Sequence, residues 1–211
     1  MFAVINRNRL QLTAVMVAIV CSAGVASAQA TRPVAAVPVA QAALTWSETV
    51  EIVGKATEQG DVSTVAATLA REAVVRSFET QELAGARMLV DAAAGWKLLG
   101  AHAYEFPPPT LASDIAEDVK GSDLVPDADK RKIIPFDDAE AARANTTAAD
   151  WLAQSVGAER DHLVGVAVFW NTNTNRPMFV LMKGQRAGDT HVVQQAVYGD
   201  PMARRATAAA R

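Results

Sequence analysis

The sequence predicts an α+β fold: one domain whose antiparallel C-terminal sheet is covered by helices from the first half of the chain. Two observations carry this. Between His162 and Asp200, the runs LVGVAVFW, PMFVLMKG and THVVQQAVYG are separated by the polar loops NTNTNR and QRAGD, which is the pattern of a β-meander. Ahead of them, apolar residues recur at helical spacing between turn signals. A chain of this size can hold such a fold by its core alone, because a domain of about 150 residues buries about 68–70% of its extended-chain surface.

Residues 1–28 have the form of a signal peptide. Arg7 and Arg9 precede an apolar run too short to span a bilayer comfortably, and Ala26-Ser27-Ala28 is a small-x-small cleavage site. An uncleaved N-terminal anchor is the alternative. The single cysteine, Cys21, lies inside the apolar run, and Ala18 and Val20 ahead of it depart from a lipoprotein pattern. Cleavage after Ala28 leaves a cysteine-free chain, which excludes disulfides, thiolate nucleophiles and zinc–thiolate or iron–sulfur sites. The expected location is periplasmic or secreted, with no membrane span after cleavage. The heavy use of Ala, Arg and Asp suggests a GC-rich bacterial genome. The net charge of −3, more acidic once Arg7 and Arg9 are removed, argues against nucleic acid or an anionic membrane as partner.

Residues 29–44, rich in Ala, Val and Pro, form a tether ahead of a domain over 45–201. Thr45-Trp46-Ser47-Glu48 is a capping box, and Trp46, Val50, Val53 and Ala56 continue a helix that Gly60 stops. Asp61 caps a second helix bearing Val62, Val65, Ala66 and Leu69. A short strand is expected at residues 73–78 and a helix at 80–94. The run WKLLGAHAYEF, from Trp96 to Phe106, reads as a strand that Pro107 to Pro109 end. Short helices are expected at 113–119 and 137–144, with a solvated excursion between them. Thr147 should cap a further helix over 148–156, ended by Gly157. The residues 202–211 form a tail with too little apolar surface to pack.

Few residues suggest chemistry. His102, His162 and His191 are far apart and lack metal-ligand spacing, so no metal site and no cofactor are expected. Twelve residues from Asp127 to Asp138 resemble a calcium loop in length, but Arg131 and Lys132 occupy places where it needs a ligand and a glycine. No nucleophile elbow, SxxK or Gly-rich phosphate loop is present. The carboxylates Asp114, Glu117 and Asp118 read as a solvated face. Strict alternation puts His102 and Tyr104 on one face with Trp96, Leu98 and Phe106, hence inward. Polar groups on a core face need partners or a ligand. With Gln195 from the last strand, His102 and Tyr104 are therefore the expected lining of a ligand pocket. The competing reading has them bonded to backbone or placed at a sheet edge.

The order of elements, from the helix before Gly60-Asp61 through the Val-Val-x-x-Phe run of Val74 to Phe78 to the late meander closing on VYGDP, resembles the NTF2-like (SnoaL-type) superfamily. That resemblance implies a curved sheet around a helix with a cone-shaped cavity. The long segment between Phe106 and Asp150 departs from it, and no inward Asp–His pair can be assigned.

Three functions follow as expectations. The first is an exported, non-catalytic protein binding a small apolar ligand or an envelope partner. The second is an NTF2-like isomerase, dehydratase or hydrolase using His102 and Tyr104 as acid–base groups. The third is a structural accessory protein whose tether and meander edge serve assembly, and separately a homodimer through the sheet is a candidate association. The first meander strand is apolar on both faces, so both should be covered. Helices of the first half can cover one. The second falls to the 107–145 excursion, a second subunit or a ligand. The last strand, HVVQQAVYG, reads as an edge or a cavity wall.

Overall fold

The computed structural model describes residues 43–80, 83–133 and 137–201. The expected signal peptide, nearly all of the tether and the tail from residue 202 lie outside the described residues. Helix α1, Trp46–Gln59, begins with the expected capping box: the Thr45 hydroxyl accepts from the Glu48 amide at 3.3 Å, and Glu48 accepts from the Thr45 amide at 2.8 Å. It ends at Gly60, whose φ of 75° is the left-handed cap glycine provides. Asp61 then caps α2, Val62–Thr68, by accepting from the Ser63 and Thr64 amides.

The strand β1 runs from Leu69 to Ser77, longer than expected. The helix expected over 80–94 is broken. Leu83–Ala84 form β2, paired antiparallel to Arg76 and Val75, Gly85 is extended, and among the described residues of that stretch only Ala86–Ala92 is helical, as α3. Strand pairing overrides helix propensity there. Then come β3 (Trp96–Glu105), α4 (Leu111–Gly121), α5 (Asp127–Ile133) and α6 (Asp138–Val156). The presumed solvated excursion thus contains a helix, preceded by the buried Val125. One continuous α6 replaces two expected helices. Thr147 does not cap anything: its hydroxyl and that of Thr146 donate to the carbonyls of Arg143 and Ala142 within the helix.

The meander is β4 (Leu163–Asn171), β5 (Arg176–Ala187) and β6 (Thr190–Gly199). The six-stranded sheet has the order β2-β1-β6-β5-β4-β3, with β1 parallel to β6 and the other pairs antiparallel. Helices and a mixed open sheet make the α+β fold. The edges are β2 and β3. The expectation of β6 as an edge is corrected: β1 pairs along its outer side, and Val193, Ala196, Val197 and Tyr198 are buried.

Each face of the sheet carries its own core. On one, Trp46, Val50 and Val53 of α1 meet Ala167, Phe169, Val180 and Met182. The approach is close enough that a Cβ on Gly184 would lie 2.6 Å from the Trp46 ring and one on Gly165 would run into Val50. The Trp46 indole donates to the Val164 carbonyl at 2.8 Å. On the other face, Leu111 and Val119 of α4 and Leu152 and Val156 of α6 cover Val164, Val166, Val168 and Leu181. The doubly apolar β4 therefore has both covers within this chain, and α4 and α6 supply the second.

A bulge in β3 decides where the expected site residues point. Leu98 pairs with Phe169 and Gly100 with Val168, so Leu99 is an extra residue. It shifts the alternation by one. Trp96 and Leu98 join Ala101 and Ala103 on the α1 side, whereas Leu99 and Tyr104 pack on the α4 side. His102 and Tyr104 thus do not share a face with Trp96 and Leu98.

Candidate functional site

His102 and Tyr104 meet the polar side of α4. Asp114 and Asp118, four residues apart, lie on one stripe of that helix. Asp118 Oδ2 is 2.5 Å from His102 Nε2, and Asp114 Oδ2 accepts from the Tyr104 hydroxyl at 2.6 Å and from Thr110 Oγ1 at 2.7 Å. The two rings stack with centroids 6.3 Å apart. Gly100 makes this possible, because a Cβ there would collide with the Asp118 carboxylate. Of the three carboxylates expected on a solvated face, Glu117 is exposed, but Asp114 and Asp118 are the partners of the two expected site residues.

The hydrogen bond that His102 donates to Asp118 raises its pKa above the ordinary value, against the opposing effect of burial. Burial, with the bond to Asp114, pushes the Tyr104 phenol far up. Tyr104 is therefore a fixed donor across the accessible pH range. Together these bonds fasten α4 to the edge strand β3.

Gln195 is not brought to them. It lies on β6, on the α4–α6 side shared with Val197, but β5 and β4 intervene. Three strand spacings put it about 14 Å from the backbone of β3.

A larger opening lies beside the adjacent face of α4. Ile115 and Val119 follow Asp114 and Asp118 by one position each, about 100° further round the helix. With Trp151 of α6, Val168 of β4 and Phe179 of β5 they line a cavity of about 670 Å³. Trp151 stands edge-on to Phe179, with ring centroids 5.4 Å apart, and stacks on Phe78 at 6.0 Å. Ala144, Thr147 and Ala148 bring short side chains to the same stretch of α6. Lys132 is the one charged side chain among the described residues of the lining.

None of His102, Tyr104 and Gln195 lines this cavity. The sequence did not single out Ile115, Val119, Trp151 and Phe179 as lining a common cavity. A signal was present: Ala144, Thr147, Ala148 and Trp151 recur at helical spacing, and short side chains beside an indole leave space.

Another hollow, of about 360 Å³, lies at the ends of β5 and β6, with Trp96, Asn171, Arg176 and Asp200 on its wall. Several of its polar groups are used internally, since Arg176 Nη1 donates to Asp200 at 3.0 Å and Asn171 Oδ1 accepts from the Asn173 and Thr174 amides, whereas the buried Trp96 indole N–H has no hydrogen-bond partner among the described residues. Among the described residues no group of three or more His, Asp or Glu side chains could hold a metal ion, and no helix is long and apolar enough to cross a membrane. Comparison with known proteins found no matching family model, no matching curated protein and no matching solved structure.

Proposed function

We propose that this is an exported, non-catalytic protein that binds a small apolar ligand between α4, α6 and the sheet. The observation that supports it is the cavity of about 670 Å³ walled by Ile115, Val119, Trp151, Val168 and Phe179. Ligand pockets typically measure about 300–1,000 Å³ and are lined by apolar and aromatic groups with a few polar ones. An NTF2-like ancestry belongs to the same proposal and rests on the order of helices, Val-rich strand and late meander.

The test is titration with a neutral apolar dye such as N-phenylnaphthylamine, followed by its fluorescence. Saturable one-to-one binding is expected for the unaltered chain, weakened about tenfold or more in Ala148→Trp, whose indole would occupy part of the cavity. Equal affinity in a folded Ala148→Trp protein would exclude this site.

A small enzyme is the second reading, favoured by the His102–Asp118 pair at 2.5 Å. Against it, the pair does not line the apolar cavity, and the raised Tyr104 pKa removes that phenol as a general base.

A further inference from the structure

We infer that the ligand of the apolar cavity is amphipathic and carries an anionic head, a carboxylate or similar group, held at the cavity's rim by Lys132. This rests on the binding function proposed above and adds the chemistry of the occupant. The deep walls are apolar and aromatic, with the edge-on Trp151–Phe179 pair among them. Such walls select for a tail and against a head, since burying a charge without a partner costs far more than burying a methylene contributes. A head group must therefore stay at the rim. The charge available there is positive: Lys132 alone among the described lining residues is ionised.

Lys132 is free to serve. Its Nζ donates to Asp129 at 2.7 Å, but the lysine side chain is 73% exposed, so this is a solvent-screened pair of small net value. An ammonium has three donors, and one bond to Asp129 leaves two for a ligand. Asp129 itself does not line the cavity. The neighbouring Lys130 is engaged elsewhere, with the Lys120 carbonyl and Asp127, which leaves Lys132 as the cation at the opening.

Three probes with the same tail and different heads test the inference: decanoate, decanol and decyltrimethylammonium. Each is titrated calorimetrically into the full chain and its Lys132→Glu variant at low ionic strength. An exposed ion pair corresponds to a factor of about two to five in affinity, and charge reversal acts on both signs. Lys132→Glu should weaken decanoate by about three- to tenfold, tighten decyltrimethylammonium by a similar factor and leave decanol within about twofold. Added salt should shrink the first two changes and spare the third. A common response of all three probes to Lys132→Glu, or a preference of the unaltered chain for the cation, overturns the anionic head while leaving the apolar site standing. No binding of any probe overturns both. Lys132 is exposed on a short surface helix, and the thermal midpoint of the variant, expected within a few degrees of the parent, separates lost binding from lost folding.

Discussion

Gly100 and the extra Leu99 beside it decide what His102 does. A period-two reading of WKLLGAHAYEF sends His102 into the same core as Trp96; one inserted residue sends it to α4 instead. Nothing in the side-chain types announces a bulge except the glycine, a residue that weakens a strand unless a bulge or a close approach requires it. Here both hold. The resulting His102–Asp118 pair gives a pH dependence with a definite sign. Its folded pKa is raised, so the pair's contribution is fully present below the unfolded value of about 6.5 and is lost as pH rises through the folded value. Thermal midpoints of the parent and His102→Gln should therefore differ most at about pH 6, by the equivalent of about 1 kcal/mol for a partly exposed pair, and converge as the pH is raised. A difference that grows with pH would reject the assignment. Gly100→Ala forces the Asp118 carboxylate aside, so it should cost about 1–2 kcal/mol and flatten the same pH dependence.

Helix α4 separates two jobs by face, and what holds it in place decides whether the cavity has a wall. Its N-terminal amides are capped from outside: Asn145 Oδ1 of α6 accepts from Ala112 at 2.8 Å and Ser113 at 3.1 Å, while Thr110 spends its hydroxyl on Asp114. Asn145→Ala should therefore cost about 1 kcal/mol, as the loss of a cap does, and also weaken dye binding, since Ile115 and Val119 ride on α4. Chemical denaturation and the dye titration measure the two together. If stability falls and binding does not, the wall is held elsewhere. Among the elements, those ended by local chemistry were legible: Thr45, Gly60, Asp61 and Gly157 all act where the sequence places them. Those governed by distant partners were not. Thr147 has the right residue type for a cap, but a helix already running through it lets the hydroxyl bond backward, and Leu83–Ala84 become strand because β1 lies beside them.

Across the molecule, one sheet separates a face filled by α1 from a face that α4 and α6 cover incompletely. The meander and the need for two covers were legible because β4 is apolar on both sides. The parallel pairing of β1 with β6 was not, since it joins segments more than a hundred residues apart and leaves no local pattern. The second cover was legible only as one of three alternatives, the 107–145 segment, because α4 is capped and anchored by Asn145 of the distant α6 rather than by a side chain of its own. The asymmetry predicts opposite signs for the same chemical change. Val53, 1% exposed in the α1 core, has no room for another methylene, and Val53→Leu should destabilise by about 1–3 kcal/mol. Ala148 borders open space, and Ala148→Leu should instead stabilise the ligand-free protein by about 0.5–1 kcal/mol, raising its thermal midpoint by a few degrees while reducing dye affinity. Both variants can be scanned in one calorimetric experiment. Destabilisation by both would mean the second face is as tightly filled as the first, and the space assigned to a ligand would not exist. Stabilisation by Ala148→Leu together with lost binding would identify that space as one left open for an occupant at a cost in stability.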